Sequence, residues 1–107
     1  MGTRENKIED RLRLGVKALG GVCAKWISPG FSGVPDRIVQ LKGHTIFVET
    51  KTPDGDLSQA QIRAHRLLRS AGASVSCVTC QYEVDSFLRW LDQLPAASLV
   101  LEWEGQA

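Results

Sequence analysis

Lys42-Gly43 divides two apolar runs, residues 36–41 and 44–51, and this pair most narrows the folds open to the chain. A two-residue loop with glycine in second place suits the positive-φ backbone of a tight hairpin, so the runs are expected to pair as antiparallel strands. Counting outward from the turn, Leu41 faces His44, Gln40 faces Thr45 and Ile38 faces Phe47. The next step on that face brings Asp36 opposite Glu49. Directly opposed residues share a face of the ladder, and Lys51, two residues beyond Glu49, lies on it too. The other face of the second run carries Ile46 and Val48, so this strand is apolar on both sides and expected in the middle of a sheet.

The rest of the chain is punctuated in a way that builds on the hairpin. Ile8, Leu12, Val16 and Leu19 recur at helical spacing, which predicts a first helix over residues 4–19 stopped by Gly20-Gly21. Residues 22–28 read as a short strand, and the glycines and prolines of residues 29–35 forbid regular structure there. Ser58 is the expected N-cap of a second helix that ends at Gly72. Residues 74–80 are rich in β-branched side chains and predict a strand. Residues 82–94 predict an amphipathic helix with Val84, Phe87, Leu88 and Leu91 inward, and residues 99–103 are a final strand or an apolar tail. The order α-β-β-β-α-β-α implies an α/β fold, with a mixed central sheet flanked by helices.

A chain of 107 residues holds one core, so residues 1–107 are read as a single domain. Its 43% hydrophobic and 23% charged content belongs to a globular protein, not a disordered one. The formal charge of +1 neither predicts nor excludes a nucleic-acid partner, so any electropositive surface must come from local arrangement. No apolar run reaches the ~20 residues of a membrane span, and the polar N-terminus is unlike a signal peptide. Three cysteines do not suggest a disulfide framework, so a cytoplasmic setting is expected. Cys77 and Cys80 have redox or zinc spacing, but residues three apart on a strand point to opposite faces, and core cysteines are the expectation.

Two opposed acids in an apolar hairpin need a reason, because like charges face to face cost stability. Three readings are open: a solvated sheet end, an acid/base carboxylate pair, or a divalent metal site. Hard cations are held by one or two carboxylates with substrate phosphate and water, and a neighbouring lysine can orient the attacking water.

The residues match a known pattern. Pro35-Asp36 followed by Glu49-Thr50-Lys51 is the PD-(D/E)xK nuclease signature, and it lies on the expected hairpin. With "KALGG" at 17–21, "KWISPGFSGVPDRIV" at 25–39, "FVETKTPDGDLSQAQ" at 47–61 and "LRSAG" at 68–72, the chain resembles a VRR-NUC domain over roughly residues 5–93. The resemblance implies a restriction-endonuclease-like fold and Mg²⁺- or Mn²⁺-dependent cleavage of DNA phosphodiesters in a bacterial or phage-infected cell. Structure-selective cutting of branched duplexes such as four-way (Holliday) junctions is the family-level expectation. A flap-directed or nonspecific nuclease, or a non-catalytic DNA-binding module, are the alternatives.

The same resemblance implies roles for individual residues. Asp36 and Glu49 would be metal ligands, the Thr50 carbonyl a third oxygen, and Lys51 the group that positions or activates water. Gln61 matches the family's glutamine in the second helix, and Glu9 its acidic position in the first. Stepping about 100° per residue from Leu57, the positions Leu57, Ala60, Ala64, Leu67, Leu68 and Ala71 form one inward arc with Gln61 just past its edge. Glu9 borders the stripe of its own helix in the same way. His65 lies further round and is expected as an exposed helix histidine. Lys25, Arg37, Lys42, Arg63 and Arg66 are candidate phosphate contacts. Leu14, Ile62, Leu101 and Trp103, read as exposed apolar residues, suggest a homodimer, which would suit a duplex needing two cuts.

Overall fold

The hairpin closes in the register its turn dictates. Lys42 and Gly43 both take positive φ, 55° and 84°, which is the backbone of a tight two-residue loop. Leu41 pairs with His44, Gln40 with Thr45 and Ile38 with Phe47, as the count from the turn requires. The computed structural model describes residues 4–97 together with Glu102, Trp103 and Gly105. Its elements are α1 (Arg4–Ala18), β1 (Val22–Lys25), β2 (Arg37–Leu41), β3 (His44–Thr50), α2 (Gln59–Ser70), β4 (Ser74–Val78) and α3 (Gln81–Gln93). The sheet runs β1-β2-β3-β4, antiparallel up to β3 and parallel between β3 and β4. The α/β architecture with a mixed central sheet is therefore present, and β3 lies inside the sheet as its two-sided apolar pattern demands.

One face of the sheet builds the core. Val39 and Leu41 of β2 and Ile46 and Val48 of β3 meet Ile8, Leu12 and Val16 of α1 and Val84, Phe87 and Leu91 of α3. On the surface, a two-pronged pair from Arg11 to Asp85 joins the two helices, at 2.8 and 3.0 Å. Phe47 and Glu49 alternate with these core positions and face the opposite side, towards α2. There Trp26 stacks on Phe47 with ring centres 5.0 Å apart.

Four details depart from the expected pattern. The strand over residues 22–28 stops at Lys25; Trp26 adds one more ladder bond, from its N–H to the Asp36 carbonyl, before the proline-glycine loop takes over. The strand over residues 74–80 stops at Val78, which leaves Cys80 as the N-cap residue of α3. Neither Cys77 nor Cys80 is a core residue: Cys77 is exposed on the edge strand and Cys80 is half-buried, while Cys23 packs half-buried against the core, and all three are free. Finally, α2 is rolled relative to its apolar arc. Ala64 and His65 are its buried residues, while Leu67 is 60% exposed. The sheet end beneath it presents the carboxylate of Glu49, so the helix turns polar groups to it.

Residues 98–101 lie outside the described residues, and with them the bulk of the expected final strand over 99–103 and its Leu101; Trp103 itself is exposed and outside any strand. Leu14 is 55% exposed as expected, whereas Ile62 is half-buried. No helix among the described residues is long and apolar enough to cross a membrane.

Leu12 is 0% exposed at the junction of α1, the sheet and α3. Leu12→Ala should cost about 2–5 kcal/mol in urea unfolding, against about 0.5 kcal/mol or less for Leu14→Ala. Equal losses would contradict this placement of the α1 face.

Candidate functional site

Asp36 is the residue just before β2, and its position is fixed from two sides. Its carbonyl accepts the Trp26 N–H at 2.9 Å, and Pro35 before it is buried. Its carboxylate reaches the end of β3, where Oδ1 accepts the Thr50 N–H at 3.0 Å and Oδ2 accepts the Thr50 hydroxyl at 2.6 Å. The β2–β3 ladder ends at Arg37 and Val48, so Asp36 is not held as a simple cross-strand partner of Glu49 but is bonded to the residue after it. Glu9, on α1, is its acidic neighbour. Arg37 donates through Nε to Glu9 Oε1 at 3.4 Å, with the two side chains 12% and 14% exposed. Burial pushes the Asp36 carboxyl up to about 6; the Thr50 hydrogen bonds oppose that shift and the Glu9 carboxyl adds to it.

Glu49, 3% exposed, turns to the other side and meets α2. Its Oε1 lies 3.4 Å from Gln61 Nε2, which donates to it, and 3.4 Å from His65 Nε2. His65 is 1% exposed, not the exposed histidine expected from the helix wheel. Burial holds its pKa below the usual histidine value, with the Arg69 and Lys51 charges acting in the same direction.

The start of α2 is held by a reciprocal cap. Ser58 Oγ accepts the Gln61 N–H at 3.1 Å, and Gln61 Oε1 accepts the Ser58 N–H at 2.8 Å. With its carbonyl so occupied, Gln61 turns its amide NH₂ to Glu49. The proline-glycine loop seats on this same turn. Gly33 has φ +85°, and a Cβ there would stand 2.3 Å from the carbonyl carbon and oxygen of Ala60. Lys51 follows at the end of β3, half-buried, its N–H donating to the Val78 carbonyl at 3.0 Å.

The structure thus gathers Glu9, Asp36, Glu49, Thr50, Lys51 and Gln61 at one end of β2 and β3. Arg37 joins them as the partner of Glu9. Lys42 is at the opposite end of the hairpin, where Nζ donates to the Asp92 and Leu94 carbonyls at the C-terminus of α3. Lys25 is exposed on the edge strand, and Arg63 and Arg66 are exposed on α2. The sequence reading missed His65 as a member of the group. Its four-residue offset from Gln61, which puts both on one helix face, was the available signal.

Among the described residues no three His, Cys, Asp or Glu side chains form a ready-made metal cluster. The donors present still fit a hard divalent cation. They are oxygens, Mg²⁺ commonly takes only one or two protein carboxylates, and two neighbouring acids away from water favour a positive charge between them.

No protein-family model matches the chain. It is 42% identical over 79 residues to "Putative nuclease p44" of Acyrthosiphon pisum secondary endosymbiont phage 1, a match covering 73% of this chain and 85% of that protein. A solved structure described as a VRR_NUC domain is similar with a TM-score of 0.77 and 32% identity, over 82% of this chain and 97% of the other.

Two outcomes follow from the geometry. A carboxyl whose native pKa rises from 3.8 to about 6 stabilises the fold below about pH 4, and that contribution is lost as pH rises through about 6. In EDTA it should amount to on the order of 1–2 kcal/mol, after discounting for partial exposure. Asp36→Asn keeps an oxygen for the Thr50 N–H and can donate to its hydroxyl. It should lack that slope and melt above the unsubstituted protein at pH 7.5; parallel melting profiles from pH 4 to 8 would rule the effect out. Gly33→Ala should lose about 1–3 kcal/mol in thermal unfolding, from positive φ and the clash with α2.

Proposed function

The chain belongs to the VRR-NUC family of nucleases, and on that premise we propose that it is a metal-dependent DNA endonuclease acting on branched duplexes such as four-way junctions. The observation that carries the metal reading is Asp36 held beside Glu9 where its negative charge is penalised. Two half-buried acids side by side are costly even with Arg37 on one and Thr50 on the other, and a divalent cation lowers that cost.

In this reading Asp36, Glu49 and the Thr50 carbonyl hold Mg²⁺ or Mn²⁺, with Glu9 adding charge to the cradle. When bound, the cation offsets phosphate charge and makes its water a stronger acid. Lys51 orients the attacking water and balances charge that develops on the phosphate. Gln61 keeps Glu49 in place as a donor. Arg37 holds Glu9, and Lys42 ties down the end of α3. Phosphate contacts then fall to the exposed Lys25, Arg63 and Arg66. The net charge of +1 gives one chain a weak grip, and pairing two chains would double the contacts. Exposed Leu14 supports such a homodimer, and the phage relative supports a site of action in the cytoplasm of a bacterial or phage-infected cell.

Labelled linear, flapped and four-way DNA incubated with Mg²⁺ or Mn²⁺ tests the proposal. Paired cuts in the four-way substrate, abolished by EDTA and cut by orders of magnitude in Asp36→Asn, are expected. Cleavage that persists in EDTA would refute the metal role, and equal cutting of all three substrates would refute the selectivity. Lys51→Ala should lower turnover about 10²–10⁴-fold while DNA binding in Ca²⁺ weakens only modestly. A variant that no longer binds DNA would make Lys51 an anchor instead. Light scattering that finds a monomer at tens of micromolar would remove the dimer.

A further inference from the structure

His65 is a costly residue for its position. It is among the most completely buried side chains of the protein, and neither ring nitrogen makes a hydrogen bond among the described residues. A buried polar group left without a partner costs free energy that an apolar ring of the same size would not. Filling space in the core therefore does not account for an imidazole here.

What the ring faces does account for it. Nε2 stands 3.4 Å from Glu49 Oε1, the oxygen that Gln61 Nε2 also approaches at 3.4 Å. Gln61 and His65 are four residues apart, so one face of α2 carries both groups to the same atom. The amide orientation of Gln61 is fixed, because its oxygen accepts the Ser58 N–H. A carboxylate only accepts, so the ring tautomer that suits this neighbour carries its proton on Nε2. A proton on Nε2 would therefore make His65 a second group from one helix directed at one oxygen of an acid that is 3% exposed.

We propose that His65 is a positioning residue: with Gln61 it orients the Glu49 carboxylate from the α2 side, through Oε1, for binding the divalent cation. The inference rests on the metal reading above. Partners that orient a metal ligand in this way set affinity without touching the metal, and their loss typically weakens binding about 10–100-fold.

The test is Mn²⁺ binding to the full chain without DNA, read from the free-Mn²⁺ signal in electron paramagnetic resonance. His65→Phe fills the space without a donor, and His65→Gln restores an N–H at a similar reach. His65→Phe should raise the Mn²⁺ Kd about tenfold or more while its melting temperature in EDTA holds or rises. His65→Gln should recover most of the affinity. In the unsubstituted protein, the His65 ring ¹⁵N resonances should report a proton on Nε2 and shift when Mg²⁺ is added, a readout that needs no variant to fold. Unchanged Mn²⁺ affinity in His65→Phe, or ring resonances that ignore Mg²⁺, would overturn the proposal. If the unsubstituted protein binds no Mn²⁺, the metal reading itself fails; if it binds and His65→Phe binds equally, only the role of His65 fails.

Discussion

Thr50 gives both its N–H and its hydroxyl to the two oxygens of Asp36, and the polar end of the sheet is arranged around that contact. It joins the last residue of β3 to the residue just before β2, at the end of the hairpin away from the turn. The hairpin is therefore fastened at both ends, by Lys42-Gly43 on one side and by Asp36 and Thr50 on the other. Since Thr50 is 0% exposed, these hydrogen bonds form where water cannot replace them. Side-chain alternation then leaves Glu49, its neighbour, on the face that α2 covers.

The two acids of the hairpin consequently belong to different halves of the protein. Asp36 is joined by Glu9 from α1, and Glu9 is restrained by Arg37 of β2. Glu49 is approached by Gln61 and His65 from α2. Arg37 pairs with Glu9, Thr50 and Gln61 are neutral donors to Asp36 and Glu49, and Lys51 follows at the same end of β3. Neutral donors orient a carboxylate without cancelling its charge, which suits a site that is to receive a cation.

Much of this was legible in the sequence because it follows from short-range rules. The glycine of the turn set the register of β2 and β3, Ser58 marked the start of α2, and Pro35-Asp36 with Glu49-Thr50-Lys51 marked the site. The rest depended on neighbours distant in the chain. Helix periodicity put Leu67 inward and His65 outward, yet the surface that α2 covers contains a carboxylate, and the helix rolled to meet it. Arg37 looked like a free cation until α1 brought Glu9 against it. Lys42 looked like another until the end of α3 supplied two carbonyls. Cys77 was read as a core residue once its pairing with Cys80 on one strand face was excluded, but an edge strand leaves that position open to solvent.

The way α2 connects two parallel strands also bears on the order in which the protein assembles. A hairpin with a two-residue turn forms from local contacts, in about 1–10 μs for isolated hairpins, and brings Asp36, Glu49 and Thr50 together as it zips. Gln61 and His65 lie on the helix between β3 and β4, whose pairing closes a longer loop than the hairpin's turn. Gly33 has to fit against Ala60 when that helix docks. Loop length thus favours assembly of the acids ahead of full docking of α2, and weakening α2 is expected to populate a state in which the carboxylates are assembled without the groups that restrain Glu49.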